Sequence, residues 1–367
     1  MRRGGRRVRS IFEVIDMDRV KVCLVGAGRA GMVHANNILN HVCNATLTCL
    51  VEPSVEVARE ATSRMAVPCY PNIEEAMRKE EFDAVIITSP TFTHAEITRK
   101  VAMAKKHVFC EKPMALNLKD SDEMISICRE NGVILQIGFM RRFDKAFQQA
   151  KRTVEEGKIG KIAIIKSTGR GPGLPPKWAC DPNKSLGMLA EVNSHDFDSI
   201  RWIGGSDISR VYAEADTFKC FEVKKEYPNF YDNSIVSIRL RNGTLALLDG
   251  SCPVEYGYDA RVEILGTEGV IMIGDLKDGM ISMCTKKEGG MVYPAFLSWR
   301  DRFREAYIEE IKHFINCILE NKDPMVGGED GKKAVEAVLA ATKSLLTQKP
   351  VNIPLKEDAN FASDPSD

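Results

Sequence analysis

The stretch Val20 to Gly31, VKVCLVGAGRAG, constrains this chain more than any other, because a short apolar run leads directly into Gly26, Gly28 and Gly31. Read as strand, turn and helix start, each glycine has a mechanical task. Gly26 permits the tight turn, Gly28 lets backbone approach a pyrophosphate, and Gly31 lets the next helix pack on the strand. That helix, over Met32 to Leu39, aims its N-terminal N–H groups at phosphates. A second strand, Thr46 to Val51, ends in Glu52, whose carboxylate is suited to accept from ribose hydroxyls and to repel a 2′-phosphate. Together these features predict a dinucleotide site that favours NAD over NADP.

A chain of 367 residues exceeds what one core usually fills, so two domains are expected. Its 51 basic and 51 acidic residues balance, leaving no global field to draw nucleic acid or an anionic membrane. With no long apolar run and no signal peptide, the expectation is a soluble, cytoplasmic protein with a small-molecule substrate. The 11 cysteines are scattered singly with no C-x-x-C pair and read as reduced thiols. Cys23, Cys49 and Cys110 fall inside apolar strands as small hydrophobes. Histidines and cysteines show no zinc-ligand spacing, so no metal is expected.

Residues 1–18, with Arg2, Arg3, Arg6, Arg7 and Arg9, read as a disordered basic extension, of which 1–16 are an extension or an over-called translation start. From Val20 strands and helices alternate. Helix 54–64, strand 82–88, helix 95–104, strand 107–111, helix 118–131 and strand 133–139 predict a doubly wound parallel sheet, a Rossmann domain over 19–140. Asn117 reads as a helix cap and Asn131-Gly132 as a helix stop. The second domain, 141–355, opens with a helix over 144–156, a strand over 162–167, a Gly/Pro-rich loop over 169–182 and a helix over 188–202. Strands follow near 211–214, 234–241, 244–250, 261–265 and 270–273, giving an α/β domain with a largely antiparallel sheet. Asn242-Gly243 reads as a type I′ hairpin turn, which would set Leu240 opposite Leu245 and Ile238 opposite Leu247. Two amphipathic helices, marked by Phe303, Tyr307, Ile311, Phe314 and Ile318 and by Val335, Val338, Ala341 and Leu345, precede a short strand and a disordered tail at 356–367.

Two places carry chemistry. Cys110-Glu111-Lys112-Pro113 ends the fifth strand, where open α/β sheets bind ligands, so Lys112 is aimed at the cleft to bond a substrate hydroxyl and help relay its proton. Glu191 and His195 lie four apart on a predicted helix, on one face with Asp198 and Ser199. A histidine suits removal of a hydroxyl proton, with Glu191 or Asp198 orienting the ring or passing the proton on. Two plainer readings stay open: a structural histidine at a domain interface, and half of a metal site that lacks a third ligand.

GAGRAG with Arg29 and Ala30, the acidic Glu52, Thr88-Ser89-Pro90 with His94, Glu111-Lys112-Pro113 and the run to His195 together resemble the Gfo/Idh/MocA family of sugar oxidoreductases, from about Val20 to Leu355. Within it, Gln136 to Asp144, Tyr256 to Asp259, and Arg302-Phe303-Arg304 with Tyr307 resemble the inositol dehydrogenases. The resemblance implies a catalytic pair of Lys112 and His195, with Glu191 where the family usually has aspartate. It implies NAD held by Gly26, Gly28, Arg29, Ala30, Gly31, Glu52, Thr88, Ser89, Pro90, His94, Glu111 and Lys112. Substrate contacts are implied for Lys112, Arg141, Glu191, His195 and Tyr258. It further implies a C-terminal α/β domain whose open sheet serves substrate binding and a homotetramer.

The reaction so implied is NAD-dependent oxidation of a secondary hydroxyl of a cyclic polyol, myo-inositol or another inositol, to a ketone. Alternatives on the same fold are oxidation of a pyranose, sugar acid or sugar nucleotide, redox-neutral NAD-dependent sugar chemistry, and a sensor that binds without turnover. An acid or nucleotide needs cationic partners, which Arg141, Arg170 and Lys177 are placed to supply.

Overall fold

Apolar periodicity builds the first half of the chain as strands β1 Val20–Val25, β2 Ala45–Val51, β3 Cys69–Tyr70, β4 Ala84–Ile87, β5 His107–Glu111 and β6 Leu135–Gly138. Between them lie helices α1 Arg29–His41, α2 Val55–Met65, α3 Ile73–Lys79, α4 His94–Met103 and α5 Leu118–Glu130. The computed structural model describes residues 19–181, 184–277, 282–285 and 290–355; the basic extension read at 1–18 and the tail read at 356–367 lie outside the described residues. The six strands pair in parallel in the order β3-β2-β1-β4-β5-β6, the doubly wound arrangement whose crevice opens beyond the carboxyl ends of β1 and β4. Leu24, Ile86 and Phe109 are fully buried, as a sheet covered on both faces requires. Asn72 and Asn117 cap α3 and α5 by accepting from Glu75 N at 2.9 Å and Asp120 N at 2.7 Å, and Gly132 at φ +64 follows the end of α5. The short β3 and α3 carry too few periodic residues to be read in advance.

The second half contributes helices α6 Lys145–Glu155, α7 Lys177–Cys180, α8 Met188–Glu191, α9 Ser194–Gly204, α10 Phe221–Glu226, α11 Trp299–Arg302, α12 Arg304–Glu320 and α13 Gly328–Thr347. Its strands are β7 Ile162–Arg170, β8 Ile208–Asp216, β9 Asn233–Leu240, β10 Leu245–Ser251, β11 Asp259–Gly266, β12 Val270–Ile273, β13 Met283–Thr285, β14 Gly290–Val292 and β15 Val351–Asn352. Seven of them form a sheet in the order β12-β11-β7-β10-β9-β8-β15, antiparallel except for the β7–β10 pair. Helices α9 and α13 pack on one face of this sheet. From α12, Ile311, Phe314 and Ile315 join Leu24, Leu47 and Phe109 in the core of the parallel-sheet layer, so the C-terminal half closes the N-terminal domain.

The structure corrects three local expectations. The hairpin after β9 is one residue longer than a two-residue turn: Leu240 N donates to Thr244 O at 2.9 Å and Gly243 takes φ +92. The register therefore slips by one, pairing Ala246 with Ile238 and Leu247 with Ser237, so Ile238 and Leu240 face the core while Leu245 and Leu247 face outward. The helix expected over 188–202 is broken at Val192 and Asn193 into α8 and α9, so Glu191 and His195 do not share one continuous helical face. Strand β7 runs on through Gly169, where an added Cβ would lie 2.0 Å from Asp196 Oδ2.

Candidate active site

On the nucleotide side, the three glycines are used differently. Gly26 holds φ +93, and a Cβ there would sit 2.7 Å from Ser89 N, so the turn after β1 lies against the loop after β4. At Gly31 a Cβ would meet Gly26 O at 1.9 Å. Gly28 is the opposite case, facing open space with nothing within 4 Å of an added Cβ. It stands at the N-cap of α1, a helix with no side-chain cap and no acidic residue in its first turn, so N–H groups over Arg29, Ala30 and Gly31 face a cradle suited to a pyrophosphate. Glu52 accepts from Ala27 N and Ser54 N, both at 3.0 Å, which fixes its carboxylate at the end of β2 beside that cradle. These residues fit a dinucleotide.

Thr88 donates to Gly26 O at 2.6 Å and Ser89 Oγ lies 2.6 Å from Thr93 Oγ1, bracing the segment through Pro90 along the same edge. His94 and Glu111 are buried, and their polar atoms bond within the protein. The His94 ring nitrogens lie 2.9 Å from Pro113 O and 2.8 Å from Ser89 O, tying the loops after β4 and β5 together. Glu111 meets His34 Nε2 at 2.7 Å and accepts from Lys112 N at 3.1 Å, so both residues support the loops from beneath.

Lys112 leaves the end of β5 and donates through Nζ to the main-chain carbonyl of Glu191 at 2.6 Å. The Glu191 carboxylate accepts from Ser185 Oγ at 2.8 Å and Thr91 Oγ1 at 3.1 Å. Burial raises this carboxyl above its usual range, opposed first by the Lys112 charge and then by the two hydroxyls. His195 is buried edge-on to Phe139, with ring centroids 5.8 Å apart, and its Nδ1 has no protein partner. Burial pushes the imidazole well below its ordinary pKa, and the Lys112 and Arg141 charges push the same way, so it is neutral at neutral pH. A neutral imidazole that feels the Lys112 charge has the chemistry to accept a proton from a hydroxyl.

Of the two helpers read for His195, Asp198 is engaged by an arginine: it binds Arg142 through both oxygens, at 2.6 and 3.0 Å, and serves the packing of α9. Arg141 is fully buried and bonds Asp196 at 2.6 Å, an aspartate that also accepts from Ser167 at 2.7 Å and Asn193 at 2.9 Å. Tyr258 is buried edge-on to Phe303, with ring centroids 6.1 Å apart, where burial raises its phenol and the Arg141 charge opposes that rise. Thr91 and Ser185 join the site through Glu191 with no signal of their own in the sequence. They lie 100 and 6 positions from Glu191, and no local spacing connects either to it.

With this geometry in view, comparison with known proteins gives a consistent result. The profile described as "Oxidoreductase family, NAD-binding Rossmann fold" matches residues 20–139, and "Oxidoreductase family, C-terminal alpha/beta domain" matches residues 151–353. The chain is 35% identical to the myo-inositol 2-dehydrogenase of Thermotoga maritima, over 91% of this chain and 98% of the relative. It is 32% identical to the scyllo-inositol 2-dehydrogenase (NAD(+)) of Bacillus subtilis, over 92% and 97% respectively. The solved structure of the scyllo-inositol dehydrogenase of Lactobacillus casei with bound NAD(H) and scyllo-inositol superposes with a TM-score of 0.84 at 27% identity, covering 91% of this chain and 99% of that one. With both domain profiles matched in order along the strands and helices that build this cleft, the chain belongs to the Gfo/Idh/MocA family of NAD-binding oxidoreductases.

Proposed function

We propose that this protein is an NAD-dependent dehydrogenase that oxidises a secondary hydroxyl of an inositol to a ketone. The observation that carries the reading is Lys112 at the carboxyl end of β5, whose Nζ donates to the Glu191 carbonyl at 2.6 Å and so stands at the α8–α9 junction from which the buried, neutral His195 follows. NAD, when bound over the glycine turn, supplies the hydride acceptor. The chain does the rest: Lys112 donates a hydrogen bond to the substrate hydroxyl, His195 takes its proton, and Glu191, fixed by Ser185 and Thr91, orients the group. Glu52 disfavours a 2′-phosphate by charge, which supports NAD over NADP.

The ion pairs favour a neutral polyol over an acid or a nucleotide. Arg141 is paired with Asp196, Arg170 with Asp249, and Lys177 with Glu226, so the three cations expected to receive an anionic substrate already have carboxylate partners. The relatives named above, dehydrogenases of myo- and scyllo-inositol, point the same way.

The outer face of the large sheet exposes Ile235, Leu245, Leu247, Leu265, Val270 and Met272, which supports a homo-oligomer, with a tetramer as our reading. Among the described residues no helix is long and apolar enough to cross a membrane, and we read the enzyme as cytoplasmic. The test is absorbance of reduced nicotinamide with NAD or NADP against myo-inositol, scyllo-inositol, glucose, galactose and glucuronate. NAD reduction with an inositol is expected; silence with all inositols despite NAD binding would overturn the reading in favour of redox-neutral chemistry or a sugar nucleotide.

A further inference from the structure

Three ionisable side chains that the proposed chemistry leaves unused meet behind Lys112. His34 from α1, Glu111 from the end of β5 and Glu310 from α12 are all buried, and their polar atoms lie within 4.8 Å of one another. His34 Nε2 bonds Glu111 Oε1 at 2.7 Å, and Glu111 Oε2 accepts from Lys112 N at 3.1 Å. Gly138 on β6 makes room for this carboxylate, since a Cβ there would lie 3.0 Å from it. Neither carboxyl oxygen of Glu310 has a partner. The surrounding groups offer no cation to it. Tyr307 on α12 packs edge-on to His34 with centroids 5.6 Å apart, Gln136 on β6 bonds only the Glu310 main-chain carbonyl at 3.0 Å, and the Arg141 charge, which acts on Tyr307, is paired with Asp196. Among the described residues neither Glu111 nor Glu310 forms an ion pair with lysine or arginine.

Charge balance decides the protonation. One imidazole compensates at most one of two buried carboxylates, and a second uncompensated charge in so dry a place is costly. Glu111 is the ionised member, because it is held by His34 and by the Lys112 N–H, whereas no donor reaches Glu310. We propose that Glu310 is a protonated acid and a positioning residue, which lets Glu111 keep its charge and so hold the backbone from which Lys112 reaches the cleft. Burial and the Glu111 charge both push the Glu310 acid well above its ordinary range. The positioning half of the proposal rests on the function proposed above; the protonation half does not.

The deciding experiment therefore needs no substrate. Full-length wild type and Glu310→Gln are unfolded in denaturant at several values between about pH 5.5 and 8, where an unfolded glutamate is ionised. Folding of the wild type takes up a proton at Glu310, so the ratio of wild-type to variant folding constants falls about tenfold per pH unit as pH rises. Parallel stability curves would overturn the proposal, as would about one tightly bound metal ion per chain by elemental analysis, since a cation would then compensate both carboxylates. For the positioning half, Glu310→Ala is expected to lower kcat at least tenfold with KM for NAD unchanged, and Glu310→Gln, which keeps the shape of the neutral acid, to restore most of it. A Gln variant as impaired as the Ala variant would show that an ionised carboxylate is needed and would overturn it.

Discussion

Lys112 Nζ donates to the main-chain carbonyl of Glu191, at 2.6 Å, and not to its carboxylate. The lysine thus ties the nucleotide domain to the break between α8 and α9, while Thr91 and Ser185 hold the Glu191 carboxylate separately. Its other two N–H groups have no partner among the described residues, and in the proposed reaction they serve the substrate hydroxyl.

Lys112→Ala and His195→Ala should each lower turnover by about 10²- to 10⁴-fold, the range expected for loss of a positioned acid or base. NAD affinity, measured by calorimetry, should change little, since the glycine turn is untouched. Near-normal turnover in both variants would remove the assigned roles.

The depressed imidazole gives a signed pH dependence. His195 is pushed below its ordinary value by burial, then by Lys112 and Arg141, so activity should be lost only as pH falls below about 6.5, when the base protonates. Stability follows the same sign: the folded state binds fewer protons at this site, so stability declines as pH falls from about 6.5 towards the folded value and is flat above it. Lys112→Met removes one depressing charge and should move the imidazole titration upward, read by NMR of the ring protons.

Glu52→Gln keeps an oxygen acceptor for Ala27 N or Ser54 N but removes the charge. The ratio of kcat/KM with NADP to that with NAD should rise about tenfold or more, corresponding to at least about 1.4 kcal/mol of relieved repulsion. An unchanged ratio would mean that Glu52 does not select the cofactor.

The glycines should separate folding from binding. A Cβ at Gly31 meets Gly26 O at 1.9 Å, so Gly31→Ala should destabilise by about 1–3 kcal/mol or more in denaturant titration. Gly28→Ala, at φ −71 and facing open space, should fold normally and lose NAD affinity. Equal NAD affinity in Gly28→Ala and wild type would contradict the placement of the cradle.

Leu247→Glu and Met272→Glu put charges on the open sheet face, where the side chains are exposed in the single chain. Each should lower the mass measured by ultracentrifugation while leaving the far-ultraviolet circular dichroism unchanged. A wild-type chain that sediments as a monomer would refute assembly through this face.

What the amino-acid sequence determined by itself was whatever depends on neighbours along the chain. A glycine turn after an apolar strand, Asn117 capping a helix and Lys112 two residues past Cys110 at the end of an apolar strand are local facts, and periodicity placed them in a parallel sheet. Tertiary structure decided the rest, because it turns on residues far apart in sequence. Asn242-Gly243 announced a hairpin, but burial of Ile238 and Leu240 under the helices chose the longer turn and reversed which leucines face outward. The same is true of charge: Arg141, Arg170 and Lys177 look available on the page, and Asp196, Asp249 and Glu226 engage them only because strands and helices from 49 to 79 positions away fold against them. A carboxylate's partner is set by Coulomb and solvation energies that act through space, and these have no local signature in the chain.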